Sequence, residues 1–346
     1  MNNKVIKAQY NSEANTLLSG LFVQYGSIPF DKIPFNFNPR ECTPRLRDLF
    51  ACIPVVGREH ELLARFVRNN TEINGQLFTP VTEAKERFGD DIEALVAAYC
   101  NALYYKHRPN SKLVIENGHL FINEYKNDVR FIIAELAELA KGGIQNYSAA
   151  ARAWLNEPNN GVDCDQKKVA LIQMFENSRV ALVYGSAGTG KSTLINHIAH
   201  FFDKKKKLFL AHTNPAVENL KRRVKASECK FSTITKFLKS GEVFTNHDII
   251  VVDECSTVSN SNMRGILSRL FHENAFSSNE NALLVLVGDT YQIDSIEFGN
   301  WFDIARKFVP DASECELTTP WRSSDKGLLK LWERVRGMDG KEPDAV

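Results

Sequence analysis

The stretch Gly185-Ser186-Ala187-Gly188-Thr189-Gly190-Lys191-Ser192-Thr193 constrains this chain more than any other feature. It satisfies G-x-x-x-x-G-K-[ST] through Gly185, Gly190, Lys191 and Ser192. The apolar run Val180-Ala181-Leu182-Val183-Tyr184 ahead of it reads as a buried strand, and Thr193-Leu194-Ile195-Asn196-His197-Ile198-Ala199 behind it reads as a helix. Strand–loop–helix is the context in which such a loop cradles phosphate. Its glycines let successive backbone N–H groups turn inward, and the helix N-terminus adds a favourable field for an anion. Lys191 is then placed to reach the β- and γ-phosphates, and the Ser192 hydroxyl to ligate Mg²⁺. These residues imply a nucleoside triphosphate site.

Downstream, short apolar runs alternate with helical patterns. Val180–Tyr184, Leu208–Ala211, Ile249–Val252 and Leu283–Val287 read as parallel strands buried on both faces, with helices at Ser192–Phe202, Pro215–Lys225 and Asn262–Phe271. That order implies an α/β fold with right-handed crossovers and ligands at the carboxyl ends of the strands. Ile249–Val252 runs straight into Asp253-Glu254-Cys255-Ser256. Asp253 is suited to hold the water shell of Mg²⁺, and Glu254 to orient and deprotonate an attacking water. The next run leads through Gly288-Asp289 to Gln292, a candidate sensor of the γ-phosphate. Arg322, in Pro320-Trp321-Arg322-Ser323, stands on a loop after a further short strand, where a guanidinium can neutralise charge in the transition state. Read in isolation, Arg322 is a surface cation.

In this order the motifs resemble those of superfamily 1 helicases, in particular the RecD-like branch, over about residues 162–324. The resemblance implies a RecA-like P-loop ATPase domain using ATP and Mg²⁺ on single-stranded DNA or RNA, with DNA favoured. Gln166, in Asp165-Gln166-Lys167, resembles the motif that reads adenine. Thr213, Asn214 and Pro215 fall in a segment similar to one that carries single-strand contacts in the family, and Thr235 in the contacting segment that follows. Lys221, Arg222 and Arg223 lie nearby on the intervening helix. After Gln292 the chain continues Ile293-Asp294-Ser295-Ile296 rather than into a proline-containing segment, which favours the RecD-like over the Rep-like branch. Nothing resembling motifs V and VI precedes Val346, so the chain is expected to be the first motor domain of a longer helicase, weakly active alone. A competing reading of the same residues is a P-loop ATPase switch that gates a nuclease or effector without unwinding.

The polar, turn-rich stretch 156–165 is the expected boundary between an α+β accessory domain over 1–155 and the ATPase domain over 156–346. In the first part, Asp91–His107 and Asp128–Lys141 carry helical periodicity, and Lys112–Asn123 reads as a hairpin turning at Asn117-Gly118. A third reading makes this part a module for a protein partner. Its Ile28-Pro29-Phe30, repeated as Ile33-Pro34-Phe35, reads as packing.

Composition excludes little beyond this. A net charge of +1 is silent about polyanions, because a basic groove can be offset by acidic surface elsewhere. Seven cysteines without a C-x-x-C pair argue against a disulfide framework or zinc site and suit a reducing cytoplasm. No apolar run is long enough to span a membrane. Lys204–Lys207 reads as a solvated turn, and His197 and His200 read as helix-surface or packing residues rather than metal ligands.

Overall fold

The computed structural model describes residues 28, 30–31, 46, 49–50, 54–239, 247–271, 281–289, 298–299 and 301–319. The chain divides into two compact units at Asp128/Val129.

In the first unit, α1 (Glu59–Glu72), β1 (Thr79–Pro80), α2 (Val81–Phe88) and α3 (Ile92–Ala102) precede a single turn, α4 (Arg108–Ser111). The hairpin β2 (Leu113–Glu116) and β3 (His119–Ile122) follows. The sheet is antiparallel in the order β1-β3-β2. Its hairpin turns at Asn117 and Gly118, both at positive φ (51° and 74°), as a two-residue type I′ turn requires. Leu63, Val67, Ile92, Tyr99, Leu120 and Ile122 meet in the core. Beside it Arg68 Nε donates to Asp31 Oδ1 at 3.1 Å and Tyr99 Oη to Asp31 Oδ2 at 2.8 Å. A buried pair holds only when such bonds satisfy both charges. This one pins the segment carrying buried Ile28 and Phe30 to α1. The second Ile-Pro-Phe lies outside the described residues.

Helix α5 (Asn123–Leu139) runs across the division, and α6 (Tyr147–Leu155) and α7 (Asp165–Gln173) follow. The second unit is then built on β4 (Val180–Gly185), α8 (Lys191–Phe201), β5 (Lys207–Ala211), α9 (Asn214–Arg223), β6 (Cys229–Thr233), α10 (Ile234–Lys239), β7 (Ile249–Val252), α11 (Asn260–Phe271), β8 (Leu283–Gly288), α12 (Trp301–Ala305) and β9 (Glu314–Leu317). Its strands form one parallel sheet in the order β6-β5-β7-β8-β4-β9. Side chains alternate between faces along each strand. Leu182, Leu210, Val252 and Leu286 therefore join one core with Ile132, Leu136, Ile266 and Trp301. Ala181, Val183, Phe209 and Val285 join the other with Leu194, Ile198, Val217 and Leu220. Helices thus cover both faces of the sheet, the α/β architecture expected of this chain.

Two details differ from the sequence reading. Residues 129–155 pack into the second unit, with Leu139 in one core and Tyr147 and Ala151 in the other. The turn-rich stretch 156–165 therefore links α6 to α7 inside that unit. Lys204, Lys205 and Lys206 are exposed as expected, but Lys207 begins β5 and is buried. Its ammonium donates to the carbonyls of Phe202, Asp203 and Lys205 at 2.8, 3.0 and 2.7 Å, tying down the turn that follows α8.

Candidate functional site

β4 delivers the phosphate-type loop at its carboxyl end. Gly185 pairs with Leu317 of β9. A Cβ on Gly185 would lie 2.8 Å from the Leu317 carbonyl oxygen and 2.6 Å from Thr189 Oγ1, so no side chain fits there. Thr189 closes the turn, its hydroxyl donating to the Ser186 carbonyl at 2.9 Å. Gly190, at φ 92°, hands the chain to α8 in a left-handed conformation that glycine adopts without Cβ strain. The Lys191 ammonium folds back over the loop and donates to the carbonyls of Gly185 and Ser186, the latter at 3.1 Å. Phosphate oxygens are stronger acceptors for a cation than these neutral carbonyls.

The acidic pair arrives from β7, separated from β4 by β8. At the usual inter-strand spacing that is about 10 Å across the sheet. The Asp253 N–H donates to Leu210 O at 2.9 Å, and the chain then turns sharply. Glu254 takes φ 57° and ψ 41°, a left-handed conformation costing a non-glycine residue about 1 kcal/mol. Three bonds hold it there: the Glu254 N–H to Asp253 Oδ1 at 2.9 Å, and the Thr257 N–H and Oγ1 to the Glu254 carbonyl at 2.9 and 2.8 Å. Strain retained in this way often accompanies a working site.

The turn brings both carboxylates to a cavity of about 480 Å³ lined also by Ser186, Ala187, Gly188, Gly190, Lys191, Ser192, Thr193 and Gly288. Gly185 and Thr189 shape the loop from behind rather than lining it. Burial pushes the Asp253 carboxyl up to about 6. The Glu254 N–H opposes that rise, the adjacent Glu254 charge adds to it, and Lys191 and Arg223 pull it back. Ser192 and Asp253 thus offer hard oxygen donors in one cavity where the acidic charge is incompletely balanced, a donor chemistry that fits Mg²⁺.

The remaining wall comes from α9, through Ala216, Asn219, Leu220 and Arg223. Arg223 Nη1 donates to Ser192 Oγ at 3.0 Å. By sequence alone Arg223 groups with the strand-side cations Lys221 and Arg222, whereas in the fold it lines this cavity. Its spacing from Ala216, Asn219 and Leu220 marks a shared helical face, but not what that face meets.

β5 and β6 pair in the register Ala211↔Thr233, so Thr213, in the short turn before α9, and Thr235, in the first turn of α10, follow adjacent strands at the same end of the sheet. Thr213, Asn214, Pro215 and Thr235 are exposed. Thr213 also caps α9, its hydroxyl accepting from the Ala216 N–H at 3.3 Å.

Gln166 lies apart from the phosphate cavity. Its Nε2 donates to Thr318 Oγ1 at 2.9 Å, and it lines a second cavity of about 400 Å³ with Val169, Gln173, Glu314 and Glu316. Thr318 follows Leu317, the partner of Gly185, so this cavity stands on the β9 side of the loop. Gln292 and Arg322 lie outside the described residues. His197 Nε2 is 3.7 Å from Asp163, and His200 Nδ1 is 2.8 Å from the Asn196 carbonyl oxygen. Among the described residues no three His, Cys, Asp or Glu side chains are grouped to hold a metal, and no helix is long and apolar enough to cross a membrane.

Residues 162–346 match the family model described as an AAA domain. A probable conjugal transfer protein TraA from Sinorhizobium fredii (strain NBRC 101917 / NGR234) is 28% identical over 184 residues, which are 52% of this chain and 16% of that protein. Among solved structures, Bacteroides Pif1 bound to ssDNA aligns at 16% identity with a TM-score of 0.37, covering 51% of this chain and 46% of that one. The Pif1 helicase from Candida albicans aligns at 21% identity with a TM-score of 0.35, covering 53% and 46%. The chain therefore spans a small part of its curated relative and about half of each solved chain.

Proposed function

The chain belongs to the AAA domain family, and on that premise we propose that it is an ATP-driven motor domain of a superfamily 1, RecD-like helicase acting on single-stranded DNA. One observation supports this most. A single sheet edge carries the cavity that joins the loop to Asp253 and Glu254, and also the exposed Thr213, Asn214 and Thr235. Hydrolysis and strand grip would then share one rigid platform.

In this reading the loop and Lys191 bind the β- and γ-phosphates, and Ser192 and Asp253 hold Mg²⁺, which when bound offsets phosphate charge. Glu254 accepts the proton of the attacking water. The water oxygen bonds to the γ-phosphorus as the bond to the β–γ bridging oxygen breaks, leaving ADP and inorganic phosphate. Gln166 reads adenine from the β9 side, while Gln292 and Arg322 sense and neutralise the γ-phosphate. Thr213, Asn214, Pro215 and Thr235 hold the strand backbone.

We assign the first unit to a protein partner. Helix α3 of this unit exposes Glu93, Ala94, Ala97 and Asn101 and contains no Lys or Arg, a poor match for phosphates.

The test titrates labelled oligo-dT and oligo-rU with and without ATPγS, then measures strand displacement with ATP. Binding that prefers oligo-dT, with displacement, is the expected result. Nucleotide-dependent capture of a protein without strand binding or displacement would replace the motor with a switch.

A further inference from the structure

Arg223 occupies a position in the cavity that no recognised motif assigns. The last turn of α9 carries three cations, Lys221, Arg222 and Arg223, as the negative end of a helix favours. Lys221 is paired on the surface with Glu218 at 2.6 Å. Arg223 is aimed differently. Its only hydrogen bond among the described residues is to the neutral Ser192 hydroxyl, and no acidic side chain among them forms an ion pair with it.

That aim is set by packing. Ala216, Asn219, Leu220 and Arg223 follow helical spacing along one face. Ala216 and Leu220 are buried in the core, which fixes the rotation of the helix and turns Arg223 toward the cavity. Just beyond it, the Lys225 N–H donates to Asn196 Oδ1 at 2.9 Å, clamping the end of α9 to α8 one turn below Ser192. A guanidinium in no close ion pair with a described residue therefore faces Asp253, which feels its charge, across a cavity otherwise built for phosphate.

We propose that Arg223 is a triphosphate-binding residue, whose guanidinium leaves the Ser192 hydroxyl for the γ-phosphate when ATP binds. A phosphate offers charge-assisted, fork-matched acceptors that a hydroxyl cannot. The same exchange releases the Ser192 oxygen. Because Thr213 and Asn214 stand at the other end of this ten-residue helix, about 15 Å away, α9 also carries the nucleotide state to the strand-contact loop. The nucleotide part rests on the assignment of the phosphate loop, and the strand part rests on the motor reading.

The experiment compares Arg223→Gln and Arg223→Lys with the unaltered chain, using fluorescent ATPγS and ADP with Mg²⁺, and a labelled oligo-dT with and without ATPγS. Arg223→Gln is expected to weaken ATPγS binding about tenfold or more and ADP binding less than about twofold, because it removes a bond made to the γ-phosphate. Arg223→Lys should recover part of the loss. The change in oligonucleotide affinity that ATPγS produces should disappear. Unchanged ATPγS affinity in Arg223→Gln overturns the proposal. So does an equal loss for ADP and ATPγS accompanied by a lower melting temperature, which marks a purely structural side chain. Lys191→Ala separates the premises. Normal ATPγS binding by that variant refutes the phosphate site itself. An unaltered chain that binds ATPγS but no oligonucleotide refutes the motor, leaving the nucleotide arm of the Arg223 test standing.

Discussion

Lys191 and Glu254 share one cavity, and the proposed function gives them separable tasks. Lys191→Ala removes the ammonium over the loop and should weaken ATP binding by about 10- to 100-fold in a calorimetric titration. Glu254→Gln leaves the cavity and the Asp253 donor in place. It should retain ATP binding and lose about 10²- to 10⁴-fold in single-turnover phosphate release, and normal turnover would remove Glu254 from the role of base. Asp253→Asn has a double expectation. It removes a desolvated charge beside Glu254, so the metal-free protein should melt a few degrees higher while Mg²⁺-dependent nucleotide binding is lost. Gln166→Ala should narrow the gap between ATP and GTP affinity, and an unchanged ratio would detach the second cavity from the base. The loop and the acidic pair were legible in the sequence because each is contiguous chemistry that ends an apolar run. Arg223 was not, because its role depends on the rotation of α9 against α8, which buried Ala216 and Leu220 set.

Strands and helices divide by burial in what could be read from the chain. β4, β5, β7 and β8 lie inside the sheet and announced themselves as unbroken apolar runs. The edge strand β6, Cys-Lys-Phe-Ser-Thr, and the edge strand β9, Glu-Cys-Glu-Leu, are half solvated and carry no such run. From the sequence β9 reads only as a further short strand before Arg322. The joint between α7 and α8 supplies a pH-dependent expectation. His197, on α8, faces Asp163, and Lys167 on α7 is buried with its ammonium 2.5 Å from the same carboxylate. Burial holds His197 below its ordinary value of 6.5, outweighing the upward pull of Asp163. A histidine depressed in the folded chain binds its proton more readily once unfolded. The stability present above pH 6.5 is therefore lost as pH falls through the folded value. Melting curves should show the unaltered protein losing stability between about pH 7 and pH 5, and His197→Gln losing less. Equal slopes would place the acid sensitivity elsewhere.

At the scale of the whole molecule, the surface proposed to hold a strand carries little charge. Thr213, Asn214 and Thr235 are neutral, and the exposed cation beside them is Lys236. Strand binding through this edge should therefore depend weakly on salt, with a log–log slope of about −0.7 to −1.4, equivalent to one or two phosphates. Lys236→Ala should remove about 0.7 of that slope. A much steeper dependence would place the main contacts on other residues. The division at Asp128/Val129 falls well ahead of the stretch that composition marks as a boundary. The turn-rich stretch 156–165 looks like a linker, yet Ile132, Leu136, Leu139 and Tyr147 on its N-terminal side fill the cores of the sheet that follows it. Order along the chain was enough for the parallel α/β sheet and its phosphate-type loop. A strand buried on both faces needs consecutive apolar residues, and a cradle needs its glycines within one turn. The helix face turned toward the cradle, the strands left at the edges and the extent of each unit depend instead on packing, because side chains far apart in sequence compete there for the same buried surface.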